Sequence, residues 1–155
     1  MALEIERKFR VADDRWKQGV VNSRRLRQAY LTKNGRISIR IRIDGAEAAT
    51  LTIKTAGPGI ERHEYEYPIP VADAEALLPR REGTVIIKVR HIVPIGEFVW
   101  EIDVFEDVNA GLVIAEVELD RADQPFEPPA WLGEEVTHDR RFYNADLARH
   151  PFSRW

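Results

Sequence analysis

Glu4, Glu6 and Lys8 stand at every second position near the start of the chain. In a β-strand, alternate side chains leave from the same face, so two carboxylates and an ammonium would project together. Buried charge of this kind is costly unless it is paired or serves a ligand. The pattern recurs. Ser38, Arg40 and Arg42 alternate with isoleucines, Lys54 faces with Thr52, and Arg62, Glu64 and Glu66 share a face. Lys88 pairs with Arg90, Glu101 with Asp103, and Glu116 with Glu118. The acidic pairs repel one another, which a divalent cation would relieve. Oxygen-only donors without His or Cys favour Mg²⁺ or Mn²⁺ over zinc. Clustered Arg and Lys suit a polyanion, because guanidinium forks match phosphate oxygens. A phosphate chain bridged to carboxylates by a metal satisfies both sets. Cations would then neutralise the chain, the metal would polarise a phosphoryl oxygen, and a carboxylate would orient a water.

The elements that must position these groups are strands. Period-2 alternation predicts eight of them, at 3–9, 26–32, 36–43, 50–55, 62–69, 85–92, 98–105 and 112–119. Asn34-Gly35, Asp44-Gly45, Gly57-Pro58-Gly59 and Asn109-Ala110-Gly111 are turn signals between them. Short helices are expected at 13–19 and at 73–78, with Asp73 as cap and Pro79 as stop, and a longer one from Thr137 to about Arg149. Helices this few cannot supply a crossover after every strand, so a parallel α/β sheet is excluded. A solvated amphipathic sheet would explain any one strand. Segregation of acids and bases by strand argues instead that the charged faces meet each other. An eight-stranded antiparallel sheet tends to close, and its interior can hold one small ligand. The fold expected is therefore mainly β, an eight-stranded antiparallel closed barrel in a single domain over 1–155, with few flanking helices.

Composition narrows the partners. A net charge of −3 from 23 basic and 26 acidic residues is unlike a nucleic-acid protein. There are no cysteines, which removes disulfides and thiolate chemistry together. Charges at positions 4, 6, 7, 8 and 10 do not make a signal peptide, and no apolar run approaches a membrane span, so a cytoplasmic protein is expected. An outer sheet face could pack against a second copy, which would make a homodimer. Parity also sets residues aside. Arg7, His63 and His91 fall off the charged face, and His138 and His150 read as surface residues. Gln28 and Tyr30 share a face that could line the interior. Trp131, Phe152 and Trp155 read as packing anchors.

The ordered set resembles the CYTH superfamily, the triphosphate tunnel metalloenzymes. Glu4-Ile5-Glu6-Arg7-Lys8 is similar to their ExExK signature. The likeness continues through Arg40-Ile41-Arg42, Leu51-Thr52-Ile53-Lys54, Arg62–Glu66, Lys88-Val89-Arg90, Trp100–Phe105, Glu116-Val117-Glu118 and Gly133–Thr137. The resemblance implies a charged tunnel with a C-terminal plug helix, in which inorganic tripolyphosphate is hydrolysed to pyrophosphate and phosphate with Mg²⁺ or Mn²⁺. It implies Glu4, Glu6 and Glu118 as metal ligands. Lys8, Arg40, Arg42, Lys54, Arg62, Lys88 and Arg90 would contact the phosphates. Glu64, Glu66, Asp103 and Glu116 would assist a second metal or position the water. A basic residue on the plug would reach inward, Arg140 or Arg141, with Arg141 placed in the catalytic set. Alternatives are a nucleotide or thiamine triphosphatase, a class IV adenylyl cyclase, or a polyphosphate-binding module without catalysis. Cyclases of this group carry a His-Phe pair before the signature; none stands before Glu4, which argues against that activity. Pure anion binding would have no use for the paired acids.

Overall fold

The computed structural model describes residues 2–55 and 61–155. The Gly57-Pro58-Gly59 turn signal lies outside the described residues. Eight long strands follow the expected order: β1 (Ala2–Val11), β2 (Asn22–Lys33), β3 (Ile37–Asp44), β4 (Ala48–Thr55), β5 (Glu61–Ile69), β6 (Glu82–Ile95), β7 (Phe98–Phe105) and β8 (Val113–Glu118). Every pairing is antiparallel. The ring runs β1–β8–β7–β6–β2–β3–β4–β5 and closes where Glu4 of β1 pairs with Arg62 of β5. The expected eight-stranded closed barrel is therefore what the chain forms.

One strand was not anticipated. β9 (Leu132–Glu135) pairs with β1 at Phe9 and Val11, on the edge that β5 leaves free beyond Ile5. At four residues it is too short to show an alternation. The expected long C-terminal helix is also corrected. After Thr137 the chain turns, makes one 3₁₀ turn at 140–142, and forms only a short helix, α2 (Asn144–Arg149). Asp139 caps the 3₁₀ turn by accepting from the Arg141 N–H, at 3.1 Å. Thr137 caps nothing; its hydroxyl is tied to the backbone of Lys8. The other helical segments are α1 (Val71–Leu77), entered through Pro70 rather than an Asp73 cap, and a 3₁₀ turn at 15–19. No helix among the described residues is long and apolar enough to cross a membrane.

Two apolar layers cover the outside of the barrel. Ile5, Phe9, Trp100, Ile102, Val117 and Trp131 pack together on the β1–β8–β7 side, and Ile41, Ile43 and Ala49 pack under Ala74 and Leu78 on the other. Each fully buried Ile or Phe contributes about 1.5–3 kcal/mol relative to exposure. A third cluster lies inside one end. Ile86, Phe105 and Ile114 continue the inward faces of Lys88, Asp103 and Glu116, and meet Phe142, Leu147 and Ala148 of the C-terminal segment. That segment plugs this end. Gly83 allows its close approach: φ is +69°, and a Cβ there would lie 2.4 Å from the carbonyl oxygen of Ala148.

Candidate active site

Inside the barrel is a cavity of about 660 Å³, well sized for a small polar ligand. Its wall is built from inward-facing positions of all eight barrel strands, β1 to β8. Glu4, Glu6, Lys8, Arg40, Arg42, Lys54, Arg62, Glu64, Glu66, Arg90, Glu116 and Glu118 all line it, as expected. Glu101, an inward acid to which no role was attached, joins them.

The acids and bases are interlocked. The Lys54 ammonium lies 3.0 Å from Glu4 and 3.7 Å from Glu64. Lys8 lies 3.4 Å from Glu116 and donates to the Phe142 carbonyl at 3.3 Å. Arg40 donates to the Thr52 hydroxyl at 3.2 Å, which in turn donates to Glu66 at 3.4 Å. Burial acts to lower Lys8 and Lys54, but Glu116 and Glu6 around the first, and Glu6, Glu4 and Glu64 around the second, outweigh it and raise both. Both amines stay charged.

The carboxyls of Glu4, Glu101 and Glu118 are raised as well, which for an acid disfavours the charged form. Burial raises Glu4, and Glu64 adds to it; burial, then Glu4, Glu6 and Glu101, raise Glu118. Burial also raises Glu101, against the pull of Arg90. These groups are crowded by like charge in a partly dry space. Among the described residues, two lining side chains also carry buried polar atoms with no hydrogen-bond partner: Oε2 of Glu4 and Nε of Arg40. One is a spare acceptor that a cation would satisfy, the other a spare donor that an anion would. Among the described residues, no three acidic or histidine side chains stand close enough together to hold a metal ion as they are. The chemistry of Glu4, Glu6 and Glu118 nevertheless fits a hard oxygen-seeking cation, with Glu6 directly opposite Glu118 in the β1–β8 register.

Three expectations are corrected. Lys88 and Asp103 share the inward parity but lie beneath the lining, both essentially without solvent exposure. Lys88 is 2.7 Å from Asp103 and 3.0 Å from the side-chain oxygen of Asn144. Asp103 also takes two bonds of 2.8 Å from Arg90. Burial would raise Asp103, but Arg90 and Lys88 outweigh it and hold its carboxyl well below the usual range. Burial, joined by Arg90 and Arg42 against the pull of Asp103, lowers Lys88 to about 7. Neither side chain is placed to touch a ligand; together they anchor Arg90. Arg141 is the third. It is exposed, paired with Asp139 at 2.7 Å, and lies over the rings of Phe142 and Trp155, away from the cavity. Arg140 lines the cavity instead, as does His138, which is exposed as expected.

The C-terminal segment supplies what sequence reasoning missed. Thr137, Tyr143 and Asn144 all line the cavity. Thr137 and Tyr143 sit in irregular backbone and Asn144 is the first residue of the short α2, so no strand periodicity points these side chains inward. Tyr30 lines the wall, as its face suggested, whereas Gln28 does not reach the cavity and is fully buried behind it. Arg7 points out to Glu135, with bonds of 2.9 and 2.6 Å.

The CYTH domain family matches residues 2–143. A protein of Acetivibrio thermocellus described as an inorganic triphosphatase is 40% identical over 156 residues, covering 98% of this chain and 97% of its own. One of Nitrosomonas europaea, described in the same words, is 42% identical over 150 residues, covering 94% and 96%. A crystal structure of an inorganic triphosphatase superposes with a TM-score of 0.69 at 38% identity, covering 96% of this chain and 95% of that one. A Pyrococcus horikoshii protein, 19% identical with a TM-score of 0.62 over 77% of this chain and 80% of its own, shares the fold.

Proposed function

The chain belongs to the CYTH domain family, and we propose from that premise that it hydrolyses inorganic tripolyphosphate to pyrophosphate and phosphate in this cavity, with a divalent cation, Mg²⁺ or Mn²⁺. The observation that carries the reading is the coexistence of two unsatisfied atoms in one lining, Oε2 of Glu4 and Nε of Arg40. A cation alone would leave the second unsatisfied, and an anion alone would leave the first. A metal-bound polyphosphate satisfies both. Full-length likeness to proteins described as inorganic triphosphatases supports the choice of polyphosphate.

Lys8, Arg40, Arg42, Lys54, Arg62 and Arg90 would bind the phosphate oxygens. Arg42 is suited to an anion for a further reason. Burial, then Arg40 and Arg90, lower it to about 9, so its charge is under-compensated until an anion arrives. Glu4, Glu6 and Glu118 would hold the cation, which would supply Lewis-acid polarisation of a phosphoryl oxygen. Glu64, Glu66, Glu101 and Glu116 are the carboxylates left to orient a water. Its oxygen attacks the terminal phosphorus, its proton passes to a carboxylate, and the bridging P–O bond breaks toward pyrophosphate. Most of the rate gain would come from fixed cations placed where negative charge is redistributed. Asp103 acts behind the site, by fixing Arg90.

The test is phosphate release from tripolyphosphate, ATP and thiamine triphosphate, each with Mg²⁺, Mn²⁺ or a chelator. Metal-dependent release, fastest from tripolyphosphate, is expected. No metal-dependent release from any of the three would overturn the enzyme reading, and cyclic AMP from ATP would redirect it to a cyclase.

A further inference from the structure

Two basic groups of the site are joined, beneath the lining, through the C-terminal segment. Arg42 donates through Nε to the side-chain oxygen of Gln28 at 2.8 Å. Gln28 donates from its amide nitrogen to the side-chain oxygen of Asn144 at 3.3 Å, and Lys88 donates to that same oxygen at 3.0 Å. From Lys88 the chain continues through Asp103 to Arg90. Its polarity is fixed by its ends. A guanidinium has only donors. Arg42 therefore needs the oxygen of Gln28, whose amide nitrogen then faces the oxygen of Asn144, the same oxygen that accepts from Lys88. Gln28 is fully buried, so it reaches a ligand only through its neighbours.

We propose that Asn144 is a positioning residue: through Gln28 it aims Arg42, and the C-terminal plug is thereby part of the phosphate-binding wall rather than a passive stopper. This rests on the polyphosphate reading above. Arg90 does not depend on Asn144 in the same way, because Asp103 grips it with two bonds of its own. Arg42 has no carboxylate at ion-pair distance among the described residues, so the Gln28 oxygen is what orients it. Loss of Asn144 leaves the buried amide nitrogen of Gln28 without its acceptor, so the side chain is no longer braced against Arg42.

The test is a cycle of Asn144→Leu, Gln28→Met and the double variant, measured by kcat and KM for tripolyphosphate with Mg²⁺ and by calorimetric Kd for the same ligand. Each single change should weaken binding about tenfold, the scale of one buried hydrogen bond lost with its partner left unsatisfied. The loss should fall on KM and Kd rather than kcat. The double variant should lose the same tenfold, because a relay broken at one link gains nothing from a second break. Asn144→Leu within twofold of wild type overturns the proposal, as does a double variant that loses about a hundredfold. If Asn144→Leu does not fold, Gln28→Met carries the same expectation alone. If wild type binds tripolyphosphate without cleaving it, the triphosphatase reading falls, and the relay is judged on Kd. If wild type does not bind it, both fall.

Discussion

Glu101 and Asp103 stand two residues apart on one face of β7, yet the fold treats these two carboxylates in opposite ways. Glu101 lines the cavity with its side chain 34% exposed, and burial pushes its carboxyl up. Asp103 is sealed beneath the lining between Arg90 and Lys88, which hold it well below the ordinary range. The same contrast separates Glu4, with an unpartnered oxygen, from Lys88, whose ammonium reaches both Asp103 and Asn144. The lining is built of charges that the fold crowds and leaves partly unsatisfied. The layer below is built of charges that the fold completes. Crowded charge is what a ligand can relieve, and completed charge is what holds the first in place.

The comparison breaks most readily at the lining. Glu6→Gln should reduce metal-dependent phosphate release by roughly 10³-fold, the scale of several kcal/mol of lost transition-state charge stabilisation. Arg7→Gln, next to it but outside the barrel, should change turnover less than twofold. It removes the pair with Glu135 and the guanidinium contacts with the Phe9 and Phe126 rings, which should cost about 1–2 kcal/mol of stability rather than turnover. Equal effects on turnover would show the assignment of inner and outer faces to be wrong.

Beneath the lining the readout should be stability. Asp103→Asn leaves Arg90 and Lys88 without their shared counter-charge in a dry layer, which should cost about 3–5 kcal/mol in denaturant unfolding. An unfolding free energy within 1 kcal/mol or so of wild type would mean that this layer is not held by its ion pairs.

The smallest effect is the sharpest in sign. The carboxyl of Glu4 is raised in the fold above its ordinary value of 4.5, by burial and then by Glu64. Its contribution to stability is therefore present in full below that value and is lost as pH rises through the folded value. Glu4→Gln should abolish turnover yet melt higher than wild type at neutral pH in chelator. The advantage should shrink toward zero as pH falls below 4.5. A variant that melts lower at neutral pH would place Glu4 with Asp103, among the completed charges.

Legibility in the sequence followed the same division. Glu4, Glu6, Arg40, Arg42, Glu116 and Glu118 were legible as inward groups because parity alone determines the face of a strand. Lys88 and Asp103 have that parity too, so nothing local distinguished them from lining residues. Their burial depends on what covers them, namely Asn144 and the apolar end around Ile86 and Phe105. Arg141 was placed inside because the family resemblance implies a basic residue reaching inward from the plug, with Arg140 or Arg141 as the candidates. The side chain of Thr137 bonds the Lys8 backbone, at 3.0 Å, and the chain takes a 3₁₀ turn that carries Arg141 outward.

By itself the sequence determined the strands, their two faces and the opposed charges they would bring together, since a period of two is a property of extended backbone wherever the strand lies. It also determined the oxygen-and-cation character of the site, because side-chain chemistry does not change with position. Only the tertiary structure decided which inward charges meet a ligand and which are sealed in. That depends on the closure of β1 on β5 and on the seating of residues 137–149 in one end, which are contacts between segments far apart in the chain. Desolvation and the nearest opposite charge then set each group's state, and neither is a property of a residue's own neighbours in sequence.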